Sequence, residues 1–192
     1  MAKRVFFSFH YEDVKTFRVN VVRQHDLTKE TGEAGFFDAS IWEDAELHGD
    51  YAVKNLINRS LNNTTVTCVL IGTNTWSRRW VKYEILKSYE RGNVLIGIYI
   101  NSIPDKYRQI FIQGANPFSY LGFFIDKVGH LNYYQEHNGM KWSKYQDLVA
   151  TSKNFDQKYW NRSYQLSEWI TCYDWMKDDG YNNFANWIEE AK

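Results

Sequence analysis

Three nearly unbroken apolar runs, each next to a stretch of helical periodicity, constrain this chain more than any other feature. Residues 5–9 (VFFSF), 65–71 (TVTCVLI) and 94–100 (VLIGIYI) lack the polar alternation of a strand with one wet face. They read as strands covered on both faces, as in a parallel sheet between helix layers. A short fourth run, residues 35–38 (GFFD), reads as the second strand in chain order.

Between these runs the period changes from two to three or four. Val14, Phe17 and Val21, with Val22 alongside, predict a helix over residues 13–24. Asp50 is placed as an N-cap, and Val53, Leu56, Ile57, Ser60 and Leu61 form one helical face. Ser77 is placed to cap a further helix, with Trp76 before it as a hydrophobic staple onto Val81. The apolar face of that helix runs Val81, Ile85, Tyr89, and Gly92 is placed to end it.

Strand and helix in alternation with short connections predict a doubly wound parallel α/β sheet. Such sheets take ligands beyond the carboxyl ends of their strands, so the segments after Phe9, Asp38 and Ile71 should rim any site. Later residues are less legible. Residues 123–125 and 130–134 form either a hairpin across Val128 and Gly129 or a fifth strand. Trp169, Tyr173 and Met176, then Tyr181, Phe184, Ala185 and Ile188, have helical spacing. The expectation is one domain over residues 1–192, with a core over about 3–135 and a helical elaboration over about 140–192.

Composition removes several classes of function. The 23 basic and 23 acidic residues cancel, which argues against a nucleic-acid or anionic-lipid partner. No run reaches the length of a membrane span, and the apolar start is too short for a signal peptide. Cys68 and Cys172 lack metal or redox spacing, which suggests a reducing cytoplasm. The five histidines show no ligand spacing, so no metal is expected. Phosphate loops of the GxGxxG and GxxxxGK[ST] kinds and the GxSxG elbow do not occur.

The segment with chemistry in it is residues 73–92, TNTWSRRWVKYEILKSYERG. Trp80 and Glu84 are four apart and share a helix face adjacent to the core-facing stripe. Glu84 therefore falls at the seam of helix and sheet, where a carboxylate can stabilise positive charge on a sugar. The same spacing fits a solvated glutamate paired with Lys87 or Ser88.

VFFSFHYED at the first strand, followed by WVKYEI after a third strand ending in Gly72, resembles the TIR-domain family. FFDASIWEDAEL, TVTCVLIGTNTWSRRW and GANPF resemble its bacterial, antiphage branch. The resemblance covers about residues 3–100. It implies a flavodoxin-like order of five parallel strands and NAD+ as substrate, with no further cofactor. Glu84 falls at the position of the catalytic glutamate and Trp80 at that of the tryptophan before it. Phe7, Ser8, Phe9 and His10 fall at the pocket-lining end of the first strand, and residues 38–47, with Asp38 and Trp42, at a mobile loop over the pocket. Trp42, Trp76, Trp80 and His10 are either shields against water or plain packing. Glu43, Asp44 and Glu46 depart from the Arg- and Gly-bearing loop of the family, which suits gating or partner recognition better than a grip on pyrophosphate.

The resemblance further implies a cyclic ADP-ribose-type messenger, a separate NAD-depleting effector that it activates, and a phage component as trigger. Two other functions fit the same residues. One is a non-catalytic module acting by self-association, and the other is a base-exchange or nucleoside-processing enzyme using the same glutamate.

Overall fold

The computed structural model describes residues 3–25, 39–137, 141–151 and 155–191. In chain order these form β1 (Val5–Phe9), α1 (Glu12–Lys15), α2 (Arg18–Arg23), α3 (Ala39–Leu47), α4 (Asp50–Ser60) and β2 (Val66–Ile71). There follow α5 (Arg79–Arg91), β3 (Val94–Tyr99), β4 (Leu121–Ile125), β5 (Leu131–His137), β6 (Lys141–Lys144), β7 (Arg162–Gln165), β8 (Cys172–Asp174) and α6 (Gly180–Glu190). The expected strand over residues 35–38 lies outside the described residues.

The apolar runs meet in a parallel sheet of order β1-β2-β3-β8. Alternate residues of each strand feed two separate cores, because side chains leave a strand on opposite faces. Val5, Phe7, Cys68, Leu70, Ile96 and Ile98 face one core with Val19 and Val22 of α2 and Phe184, Trp187 and Ile188 of α6. Phe6, Val69 and Ile71 face the other, with Val53 and Ile57 of α4 and Val81 and Ile85 of α5. This is the doubly wound α/β fold. No helix among the described residues is long and apolar enough to cross a membrane.

Between β3 and β8 the chain builds a second, antiparallel sheet of order β6-β5-β4-β7. Its β4–β5 pair is the expected hairpin, turning at Gly129, whose φ of 84° suits a glycine. The sheet covers the outer side of α5. Tyr89 stacks on Phe123 at 5.0 Å between ring centroids, the Lys82 ammonium reaches Gln135, and the Tyr145 hydroxyl donates to the Arg79 carbonyl. Because α5 is covered on both sides, Lys82, Glu84 and Ser88 are buried together with its apolar residues.

Four expectations are corrected. The helix over residues 13–24 breaks at Phe17, which takes φ 66° and exposes its ring, while Arg18 turns inward beneath Phe111. Arg18 is satisfied there by the carbonyls of Ile103 and Gln109. Ser77 lies in a 3-10 turn (Thr75–Ser77) and Arg78 occupies the N-cap of α5, so neither the cap nor the staple is placed as expected. Asp50 is the first residue of α4 and Gly49 its cap. The helical elaboration over about 140–192 is helical only in α6 among elements longer than a single turn. Trp169, Tyr173 and Met176 are not on a helix: Tyr173 belongs to β8 and stacks on Trp187 at 4.3 Å.

Cys68 is fully buried in β2, and burial pushes its thiol well above the ordinary range. Cys68→Ser puts a hydroxyl without a designed partner into that core. It should lower stability by about 1–3 kcal/mol and leave activity intact. A thermal melt beside a turnover assay checks this, and lost activity at an unchanged melting temperature would contradict it.

Candidate active site

Ser8 is the one polar residue of β1, and its side chain leaves the strand on the face that meets α5. There its hydroxyl donates to Glu84 Oε2 at 2.5 Å. Both residues are buried, Ser8 completely and Glu84 with 5% of its surface exposed. Burial pushes the Glu84 carboxyl up to about 8, against the opposing pull of the Ser8 hydrogen bond. A cleft glutamate that keeps its proton near neutrality is a tuned acid, unlike a solvated one paired with lysine. The expected alternative partners are elsewhere: Lys87 pairs with Glu90, and Ser88 accepts from Thr67.

Glu84 opens into a cavity of about 480 Å³ beyond the carboxyl end of β1. Its walls are Phe7 and Phe9 of β1, His10, Tyr11, Glu12 and Lys15 after it, Trp42, Glu43 and Glu46 on α3, and Arg78, Arg79, Trp80 and Val81 at the start of α5. Thus six of the nine expected site residues line it, namely Phe7, Phe9, His10, Trp42, Trp80 and Glu84. Ser8 stands behind them as the partner of Glu84. Trp76 does not line it and packs against Tyr120 at 4.8 Å, and Asp38 lies outside the described residues. Residues 39–47, expected as a loop, are the helix α3. Its period turns Glu43 and Glu46 to the cavity, whereas Asp44 faces His48.

Trp80 is held by its neighbour in the cavity wall, Arg79. The Arg79 guanidinium lies 4.6 Å from its ring centroid and is itself fixed by Asp147, at 2.7 and 2.9 Å, and by Asp50 at 2.6 Å. Lys54 joins Asp147 at 2.9 Å, and these two cations hold the Asp147 carboxyl down at about 2. Asp147 lies between β6 and β7, so the antiparallel sheet helps to fix the cavity wall. His10 is lowered by burial and then by the Arg78 charge, which leaves a neutral imidazole at pH 7. Among the described residues no cluster of His, Cys, Asp or Glu is placed to hold a metal ion.

Reasoning from sequence missed Arg78, Arg79, Glu12 and Lys15 as wall residues. Their one signal was position: they follow the ends of β1 and β2, where doubly wound sheets place ligands.

A family described as "Thoeris protein ThsB, TIR-like domain" matches residues 6–105. A Bacillus cereus (strain MSX-D12) protein named "Putative cyclic ADP-D-ribose synthase ThsB1" is 53% identical over 191 residues, covering 98% of this chain and all of that protein. The chain belongs to the ThsB family of TIR-like proteins. The family match runs from β1 to just past β3 and contains every residue that lines the cavity. The antiparallel sheet, β8 and α6 lie beyond it, and it is the whole-length likeness to the Bacillus cereus protein that extends over them.

Proposed function

We propose that this ThsB-family protein cleaves NAD+ at the nicotinamide–ribose bond and closes the remainder into a cyclic ADP-ribose-type messenger for antiphage defence. The messenger activates a separate NAD-depleting effector, and a phage component triggers its synthesis. The observation that carries this reading is Glu84, buried, bonded to Ser8 and opening into the one wall that also bears Trp80. The name of the Bacillus cereus relative points to the same product class.

The chemistry needs little beyond that geometry. Nicotinamide leaves with the bonding electron pair, and positive charge develops on the ribose. A carboxylate held against that carbon by Ser8 offsets the charge, and its own near-complete burial limits competition from water. A nucleophile elsewhere on the same molecule then attacks the anomeric carbon in place of water. NAD+ gives nicotinamide, the cyclic nucleotide and a proton. Cyclisation requires the second nucleophile to be held close, which Trp42 and Trp80 supply as flat apolar walls.

The proton on Glu84 sets the pH dependence. Only the ionised carboxylate stabilises the cationic sugar, so kcat/KM should rise as pH increases towards about 8 and level off above it. Nicotinamide release and mass spectrometry of the second product, measured from pH 6 to 9 with protein from infected cells, test both the reaction and its profile. A product that is only linear ADP-ribose would remove the messenger, and a flat profile would remove the assigned role of the Glu84 proton.

A further inference from the structure

The cavity walls carry charge of both signs, but the cations are not equally available. Arg79 is occupied by Asp50 and Asp147. Lys15 is occupied by Glu12 at 2.7 Å. Arg78 is exposed, lines the cavity, and has no carboxylate within ion-pair distance among the described residues. It is also the N-cap residue of α5, and no side chain caps that helix. The first-turn N–H groups of α5 therefore lack intrahelical acceptors next to the Arg78 guanidinium.

Distance fixes what this pair of features can reach. Arg78 at the N-cap of α5 and Glu84 more than a turn into it line the same cavity, separated by roughly 9 Å along the helix axis. A ribose with two phosphates spans that interval, so an anomeric carbon at Glu84 brings its diphosphate to Arg78. Glu12, Glu43 and Glu46 line the cavity too and repel a diphosphate, and Glu12 is already paired with Lys15, so among the described residues Arg78 is the lining arginine left to receive it.

We infer that Arg78 grips the diphosphate of the substrate and so makes the site selective for a dinucleotide over a nucleoside. The inference rests on reading the cavity as an NAD+ site. A guanidinium matches phosphate oxygens in a forked pair of hydrogen bonds, and an ammonium does not reproduce that geometry. Arg78 acts on binding and positioning, at a distance from the breaking bond, whereas Glu84 acts on the bond itself.

Calorimetry with ADP-ribose and with nicotinamide riboside, on the full chain, separates the two claims without requiring turnover. Arg78→Gln should weaken ADP-ribose binding about 10- to 100-fold. It should leave nicotinamide riboside, which has no phosphate, unchanged. In turnover the same factor should appear in KM for NAD+, with kcat little altered. Arg78→Lys should recover only part of the loss, and Arg91→Gln, at the far end of α5, should behave as wild type. Unchanged ADP-ribose binding by an Arg78→Gln protein that melts normally would overturn the role of Arg78 and leave the NAD+ reading standing. A wild type that binds neither ADP-ribose nor NAD+ would overturn both.

Discussion

Replacing Glu84 by Gln should abolish nicotinamide release and make the protein more stable above neutral pH. Glutamine keeps the size and can still accept from Ser8, but it removes the charge. Losing a carboxylate that faces a cationic sugar should slow turnover by roughly 10²-fold or more, about 3 kcal/mol in barrier.

The stability effect follows from the same burial. Below about pH 4.5 the carboxyl is protonated in both folded and unfolded chains, so the wild type pays nothing for burying it. As pH rises further the unfolded chain releases this proton and the folded chain holds it, so wild-type stability falls until about pH 8. Each tenfold difference in proton affinity is worth about 1.4 kcal/mol, which makes the penalty a few kcal/mol. Glutamine escapes that penalty, and its unmatched amide N–H groups return roughly 1–3 kcal/mol of the gain. The difference in melting temperature between Glu84→Gln and wild type should therefore grow in favour of the variant from pH 4.5 to 8. A variant that releases nicotinamide at the wild-type rate would end the catalytic assignment. A pH-independent difference would show that the glutamate ionises as readily folded as unfolded.

Deleting residues 163–192 should leave a chain that does not fold cooperatively. The deletion takes most of β7, all of β8 and α6, and the buried Leu166, Ile170, Trp175, Phe184, Trp187 and Ile188. At about 1.5–3 kcal/mol for each buried apolar side chain, the loss exceeds what small domains have to spare. It also uncovers one face of the parallel sheet, because α6 lies over Phe7 and Ile98 there. Insoluble protein, or a compact state with no near-ultraviolet dichroism, is the expected result. A soluble truncation with a sharp thermal transition would contradict it.

Legibility in the sequence followed how far each element declares its own neighbours. β1, β2 and β3 were readable because Phe6, Cys68 and Ile96 sit in runs apolar on both faces, a pattern only a covered strand tolerates. The end of α5 was readable because Gly92 takes φ 84°, which its lack of a side chain permits. β8 was not readable, since three residues are too few to show a period and Tyr173 finds its partner, Trp187, on another element. Arg18 gave no signal either. An arginine on an amphipathic stretch reads as solvent-facing, and only the carbonyls of Ile103 and Gln109 make its burial tolerable. At the cavity, the four-residue spacing puts Trp80 and Glu84 on a shared face of α5 that lines it, whereas the turn before α5 packs Trp76 against Tyr120.

The position of β8 bears on the order in which the molecule assembles. β4 and β5 meet across a five-residue turn, whereas β8 returns to β3 only after the entire antiparallel sheet, pairing Gly97 with Cys172. That return is also sterically exacting, since a Cβ at Gly97 would stand 2.6 Å from the Cys172 sulfur. Closing so long a span costs entropy that no local contact offsets in advance. A folded antiparallel sheet shortens that span, and the parallel sheet is begun by β1 and extended last by β8. The residues that line the cavity thus all precede β3, whereas the strand at that edge of the parallel sheet, β8, comes more than 70 residues after it.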